Sequence, residues 1–362
     1  MKILVVSNMY PSAKDPVYGT FVRNFVEQTR ALNPEATVDV VTICGRRKGY
    51  AAKAVAYARF YCRLTATLLF RDYDLIYVHT ITFPIIPIRV AKLFRRDLPL
   101  VFNVHGDDVL PSNSLKRALK AIARPVVRKA RMIVCPSSYF AKVVRREIGR
   151  VDPDRLFVSP SGGVDTRFFV DRARPVKSEQ LILGFVSRIE SQKGWETFIE
   201  ALSAVRARGI DCRAIIAGGG KQVEQMKQLI ATKHLEEYID YRGPVAQSDL
   251  PLLYSSVDLF VFPTRARESL GLVGLEAMAA GTPVAASDMA GPKTYVVDGV
   301  NGYLFEPGNV DALVDKILIF NRRSPDTRAR LSAEARATAA QYESSLVASR
   351  LNAALLPLLS QS

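Results

Sequence analysis

Histidine, cysteine and tryptophan are scarce in this chain: three, four and one among 362 residues. The three histidines, His79, His105 and His234, stand at no metal-binding spacing, which argues against a protein zinc site. Cys44, Cys62, Cys135 and Cys212 show no paired spacing. Their apolar surroundings predict reduced core residues of a cytosolic protein. No uncharged apolar run reaches ~18 residues, so no spanning helix is expected. After Lys2 comes only a short Ile-Leu-Val-Val run, which predicts a first strand rather than a signal peptide. Repeats, low-complexity segments and recognised nucleic-acid motifs are also missing, so nucleic acid is not an expected partner.

What is present is an ordinary globular composition, 48% hydrophobic and 23% charged, with charge unevenly placed. Residues 1–170 hold 28 Lys+Arg against 13 Asp+Glu, while residues 171–362 hold 22 of each. The whole excess of +15 therefore belongs to the first half. Residues 50–70 mix Ala, Val, Phe, Tyr and Leu with three cations and no acid. That pattern fits an interfacial amphipathic helix drawn to an anionic membrane surface. A basic solvated face without a partner is the plain alternative.

Strand-like and helix-like runs alternate along the chain. Strands are expected at 3–7, 37–42, 75–79, 100–105, 132–136 and 156–159, with helices at 22–32, 50–70, 84–94, 114–129 and 138–148 between them. A polar stretch with Pro175, residues 167–179, reads as a linker. A second alternation then runs from 181 to 320. Such alternation predicts parallel sheets covered by helices on both faces. The fold class is α/β, with two Rossmann-like doubly wound domains, 1–170 and 171–343, facing a cleft.

Glu268 and Glu276 stand in an otherwise small and apolar stretch that continues to Val284. Ionised carboxylates are costly to bury without partners, so the segment needs a reason to carry them. A strand-like run, 257–263, precedes Glu268, and a helical pattern begins after Gly271 and closes at Gly281. Glu268 is thus expected in a loop at a strand's C-terminal end, and Glu276 a turn into the next helix. In open α/β sheets that rim is where ligands bind. Ser269, Gly271 and Gly274 leave the helix start uncrowded, and its N–H groups and dipole favour a phosphate. A nucleotide sugar offers phosphate for the helix and hydroxyls for the acids. An N-cap region with one solvated helix glutamate is the bland reading.

Glu268-x7-Glu276 followed by Gly281-Thr282-Pro283-Val284 resembles the signature of retaining glycosyltransferases of family 4, which have the two-domain GT-B fold. Other matching pieces are Asn8-Met9-Tyr10-Pro11 with Gly19-Thr20-Phe21-Val22, His105-Gly106-Asp107, Pro160 to Asp165, Ser187-Arg188-Ile189 with Lys193-Gly194, Ala217 to Gly220, and Asp298 to Gly302. Each is weak alone; their order and spacing together are specific.

The resemblance implies that Arg188 and Lys193 bind the donor diphosphate without a divalent metal or other cofactor. Glu268 would hold hydroxyls of the donor sugar, and Glu276 those of the ribose. The backbone of Ser269, Leu270, Gly271, Leu272 and Val273 would meet sugar and diphosphate. His105 would contact the transferred sugar, Gly19 the diphosphate or acceptor, and Gly218 and Gly219 would allow close backbone approach. Arg242, Gly243 and Val245 fall where the family contacts the base. A last helix, 344–360, would cross back to the first domain. The function implied is transfer of a hexose from a UDP- or GDP-linked donor to a lipid-linked or growing glycan acceptor in bacterial surface polysaccharide or glycolipid synthesis. The enzyme would be cytoplasmic or peripheral on the inner face of the cell membrane. A soluble acceptor, an epimerase, or a non-catalytic nucleotide-sugar- or membrane-binding protein are the alternatives.

Overall fold

The computed structural model describes residues 1–16, 18–170 and 180–359. The expected linker therefore lies largely outside the described residues. The chain divides into two compact units, Met1–Gly163 with Ser345–Ser362, and Val164–Ser344. The break precedes the expected linker, because Val164 and Ser344 are bonded within the second unit: the Val164 N–H donates to the Tyr342 carbonyl and the Ser344 N–H to the Val164 carbonyl.

The first unit contains β1 (Lys2–Tyr10), α1 (Thr20–Leu32), β2 (Thr37–Cys44), α2 (Tyr50–Phe70), β3 (Leu75–His79), α3 (Ile85–Phe94), β4 (Leu100–Asn103), α4 (Ser114–Val127), β5 (Met132–Cys135), α5 (Ser138–Ile148) and β6 (Leu156–Val158). Its six strands lie in the order β2-β1-β3-β4-β5-β6, all parallel. Ile3, Val5, Tyr77, Val101 and Val134 face one side of this sheet, while Leu4, Val6, Ile76, Val78 and Phe102 face the other. Both faces are covered, which is why the strands read as continuous apolar runs.

The second unit contains β7 (Leu181–Val186), α6 (Trp195–Ala207), β8 (Cys212–Ala217), α7 (Val223–Thr232), β9 (Ile239–Tyr241), α8 (Leu250–Ser255), β10 (Leu259–Phe262), α9 (Leu272–Ala279), β11 (Val284–Ser287), β12 (Gly302–Phe305), α10 (Val310–Asn321) and α11 (Pro325–Ala340). Its parallel sheet runs β12-β11-β10-β7-β8-β9. Counted within the unit this is the 3-2-1-4-5-6 order of dinucleotide-binding sheets, and its direction reverses between β7 and β10. The last helix, α12 (Ser344–Leu359), contributes Leu351 and Leu355 to the same buried apolar core as Ile3, Val5 and Tyr77 in the first unit. The Arg131 guanidinium fixes its end by donating to the Leu358 carbonyl at 2.6 Å.

Two expectations need correction. Cys44 and Cys62 are exposed, and only Cys135 and Cys212 are core residues. The strand expected over 100–105 ends at Asn103. Beyond it the chain turns around the buried Asp108 carboxylate, which accepts from the N–H groups of His105, Gly106 and Ile81.

Candidate functional site

Because the second sheet is wholly parallel, every βα loop of that unit leaves from the same rim. The loops after β7 and β10 flank the reversal of strand order, where side chains from two separate crossovers can meet. They do meet there. The Lys193 ammonium donates to Glu268 Oε1 at 2.5 Å, with both side chains mostly covered, at 16% and 19% exposure. Glu268 also accepts from the Thr264 hydroxyl at 3.3 Å. Backbone bonds hold the two loops in register: the N–H groups of Arg265 and Ala266 both donate to the Gln192 carbonyl. Gly194 makes this closeness possible. It has φ 78°, and a Cβ there would lie 1.9 Å from the Pro263 carbonyl oxygen, so no other residue fits.

The remaining loops of the rim are tied to this centre. The Ile189 N–H donates to the Gly219 carbonyl at 2.9 Å, and the Gly218 N–H to the Gly243 carbonyl at 2.7 Å. Arg188 is more exposed than Lys193 and pairs with Glu190 at 2.9 Å. Both cations expected at a diphosphate are thus paired with glutamates. Arg242 pairs with Asp240, and Val245 is partly buried.

The start of α9 is built around Tyr295. Gly271 is the left-handed N-cap, φ 88°, and as a glycine it brings no capping side chain of its own. The Tyr295 hydroxyl donates to the Gly271 carbonyl at 2.8 Å. A Cβ on Gly274 would come within 2.3 Å of that hydroxyl. Gly274 therefore makes room for Tyr295, a different reason for its smallness than an open approach to phosphate. Leu270 turns its side chain into the core, which leaves only its backbone for a ligand. The Asp298 to Gly302 motif has a supporting part: buried Asn301 donates to the Tyr295 carbonyl at 2.8 Å.

Glu276 accepts from the Tyr254 hydroxyl at 3.1 Å. Burial is the main reason its pKa is pushed up to about 7, against which the Tyr254 bond works. Tyr295 senses both Glu268 and Glu276, and burial with these charges holds its hydroxyl well above the usual phenol range. The two glutamates thus share one neighbour while keeping separate bonding partners.

In the first unit the candidate residues are uncharged. His105 Nε2 lies 3.2 Å from His79 Nδ1, with the two rings stacked 5.5 Å apart. Phe21 packs on both, at 4.6 Å from His105 and 5.6 Å from His79. Burial drives both histidine pKa values below the ordinary 6.5. Gly19 starts α1, and a Cβ there would press on the backbone of Met9 and Tyr10 at 2.7 Å.

Sequence reasoning missed His79, Asp108, Tyr254, Thr264 and Tyr295. Only His79 carried a signal, because it ends a strand as His105 was expected to. Paired carboxylates of the Asp-x-Asp type can hold a metal–diphosphate complex, and two such triplets occur, at 72–74 and 152–154, both in the first unit. Asp72 pairs with Arg95, Asp74 accepts from the Lys2 N–H, and Asp152 accepts from the Asp154 N–H. Among the described residues no group of three or more His, Cys, Asp or Glu is arranged to hold a metal ion.

Two family models match the chain: Glycosyltransferase Family 4 over residues 21–168 and Glycosyl transferases group 1 over residues 167–338. The chain is 28% identical over 234 residues to the alpha-D-kanosaminyltransferase of Streptomyces kanamyceticus, covering 61% of this chain and 60% of that one. It is 31% identical over 232 residues to the GDP-mannose-dependent alpha-(1-6)-phosphatidylinositol monomannoside mannosyltransferase of Mycolicibacterium smegmatis, covering 60% and 59%. These matches span less than two thirds of either relative's length. Among solved structures, Anabaena HepE in complex with UDP and glucose superposes with a TM-score of 0.74 at 22% identity, covering 99% of this chain and 100% of that one. Sucrose-phosphate synthase from Thermosynechococcus elongatus reaches 0.78 at 18%, covering 100% of both. At such identities the likeness is one of fold, the GT-B arrangement of two α/β units.

Proposed function

The chain belongs to the family 4 glycosyltransferases, and on that premise we propose that it transfers a hexose from a UDP- or GDP-linked donor to a lipid-linked or growing glycan acceptor, with retention of anomeric configuration. The observation that carries this reading is the Lys193–Glu268 pair at the strand-order reversal, beside a helix start whose N-cap is a glycine.

A nucleotide sugar answers both members of that pair. Its diphosphate takes the Lys193 and Arg188 charges, and its sugar hydroxyls donate to the released Glu268 carboxylate. As the bond from the anomeric carbon to the phosphate oxygen breaks, its electron pair leaves with the diphosphate. Fixed cations and helix N–H groups aimed at that developing charge lower the barrier. The acceptor hydroxyl bonds to the same face of the carbon, and its proton goes to the departing phosphate oxygen. In this scheme Glu268 is engaged by the sugar hydroxyls and Glu276 by the ribose, so neither serves as a dedicated nucleophile and the route is front-face. Glu276 takes the ribose hydroxyls, His105 the transferred sugar, and the loop at Arg242, Gly243 and Val245 the base. No divalent metal is required in this scheme, because Arg188 and Lys193 supply the positive charge.

The setting proposed is bacterial surface polysaccharide or glycolipid synthesis at the inner face of the cell membrane, with the basic first unit drawn to anionic lipid. A relative named for a phosphatidylinositol mannoside acceptor supports a lipid-linked one. No helix among the described residues is long and apolar enough to cross a membrane. The test is a thermal-shift series with UDP, GDP, ADP and their sugars. One nucleoside diphosphate should stabilise the protein well above the others, and its sugar should be consumed in the presence of a glycan acceptor. No stabilisation by any of them would overturn the reading.

A further inference from the structure

Helix α3 has the sequence Ile-Ile-Pro-Ile-Arg-Val-Ala-Lys-Leu-Phe and is apolar nearly all round. Such helices are ordinarily buried. This one buries Ile85, Pro87, Ile88 and Ala91 in the first unit's core and leaves Val90, Leu93 and Phe94 outside, at 40%, 76% and 74% exposure. Their spacing puts the three on one face. Phe70, the last residue of α2, is 84% exposed. The two helix ends are stitched together by one side chain. Arg95 Nη1 donates to the Leu68 carbonyl at 3.0 Å and the Arg71 carbonyl at 2.8 Å, and its Nη2 to Asp72 at 2.5 Å. Phe70 and Phe94 therefore belong to the same edge. Four large apolar side chains gathered on one exposed edge mark a contact surface rather than scattered exposure.

The surroundings say what kind. On the outer face of α2, Arg59 and Arg63 stand in line with Ala66 and Phe70. Arg71, Arg89 and Arg96 are exposed nearby in sequence, whereas the acids of the two helix ends, Asp72 and Asp97, face cations: Arg95 bonds Asp72, and Asp97 interacts with Lys92. An apolar edge rimmed by arginines matches the two layers of an anionic bilayer surface, acyl chains beneath and phosphates above. It does not match a second copy of itself, which would set arginine against arginine.

We propose that Phe70, Val90, Leu93 and Phe94 form an edge that inserts into the acyl region of an anionic membrane, while Arg59, Arg63, Arg89 and Arg96 meet the headgroups. The proposal rests on the membrane reading of the first unit and adds a specific wedge to what charge alone would do. Insertion of apolar side chains makes part of the attachment insensitive to salt, and salt screening removes only the rest.

The test uses the full chain and sedimentation with vesicles of phosphatidylcholine containing phosphatidylglycerol, against phosphatidylcholine alone. The native protein should bind the anionic vesicles and keep part of that binding in high salt. Replacing Leu93 and Phe94 together by Ser should weaken binding about tenfold or more and remove the salt-resistant part. In a second variant, Phe94→Trp, the new indole should be quenched by brominated acyl chains, while buried Trp195 in the native protein should not. If the native protein binds no vesicle at low salt, both the membrane reading and the wedge fail. Equal binding by the serine variant with no quenching at position 94 overturns the wedge and leaves electrostatic attachment standing. A native dimer that the serine variant abolishes, without vesicle binding, makes the edge a protein interface and overturns the proposal.

Discussion

The strand ends of the two units carry opposite chemistry on similar frames. Each sheet has six parallel strands, and each places its candidate residues at the C-terminal rim, in strand ends, loops or the helix starts that follow. At the first rim, two stacked histidines lie among aromatic rings, with His79 buried, His105 partly so, and both pKa values held below the ordinary 6.5. At the second, Lys193–Glu268, Arg188–Glu190 and Glu276 gather charge around glycines that admit no Cβ. Over the rest of the molecule the balance inverts, because the first unit holds the excess of cations. A frame of this kind thus sets where a site lies, and the loops set what it can bind. On the proposed reading the second rim takes the charged leaving group and the first a neutral, polyhydroxylated partner.

The comparison breaks most visibly at Gly194. Gly194→Ala should cost about 2–5 kcal/mol, because it combines left-handed strain with a clash against Pro263. Trp195, the only tryptophan, is buried in the second unit, so its fluorescence in urea reads that unit's unfolding. A midpoint within error of native would mean that the two loops can separate freely.

A second contrast is in pH. The folded pKa of Glu276, about 7, lies above its ordinary 4.5, so its contribution to stability is full below about 4.5 and is lost as pH rises to about 7. The loss is on the order of 2–3 kcal/mol. His79 and His105 are shifted the other way. Their contribution is present above 6.5 and lost as pH falls below it. Trp195-detected stability should therefore decline between pH 4.5 and 7 in the native protein and stay flatter in Glu276→Gln. If both proteins show the same slope, Glu276 is not the titrating group. Nucleotide affinity should also rise through pH ~7 in the native protein only, since an ionised carboxylate is the better acceptor for ribose hydroxyls.

The smallest effect sharpens the comparison within the second rim. Tyr295→Phe removes the bond to the Gly271 carbonyl and should cost about 1 kcal/mol. Weaker donor binding with little change in turnover would mark Tyr295 as a support of the α9 start. A large loss of turnover with unchanged donor binding would give it a direct part in the chemistry.

Much of this was legible in the chain itself. The alternation of apolar runs placed nearly every strand, and Lys193 and Glu268 were recognisable singly as loop residues after strands. Their pairing was not, because it depends on β10 lying next to β7 although 75 residues separate the partners. Strand β12 is four residues long and starts on glycine, which leaves little pattern to read. Helix α11 buries only Leu331, Ala335 and Ala339, a stripe made mostly of alanine. Gly274 carried a misleading signal: a small residue at a helix start suggests an approaching phosphate, yet the space is filled by a tyrosine hydroxyl from a later loop. His79 and Tyr254 act through partners 26 and 22 residues away, and short motifs do not record such distances.

The central claim is that Lys193 exchanges Glu268 for the donor diphosphate. The most direct measurement is the turnover of Lys193→Ala with the nucleotide sugar selected by thermal shift, alongside a circular dichroism check that the fold is kept. The account predicts a loss in kcat of about 10²–10³, as for removal of one fixed donor from a developing oxyanion. A folded variant with turnover close to native would contradict it.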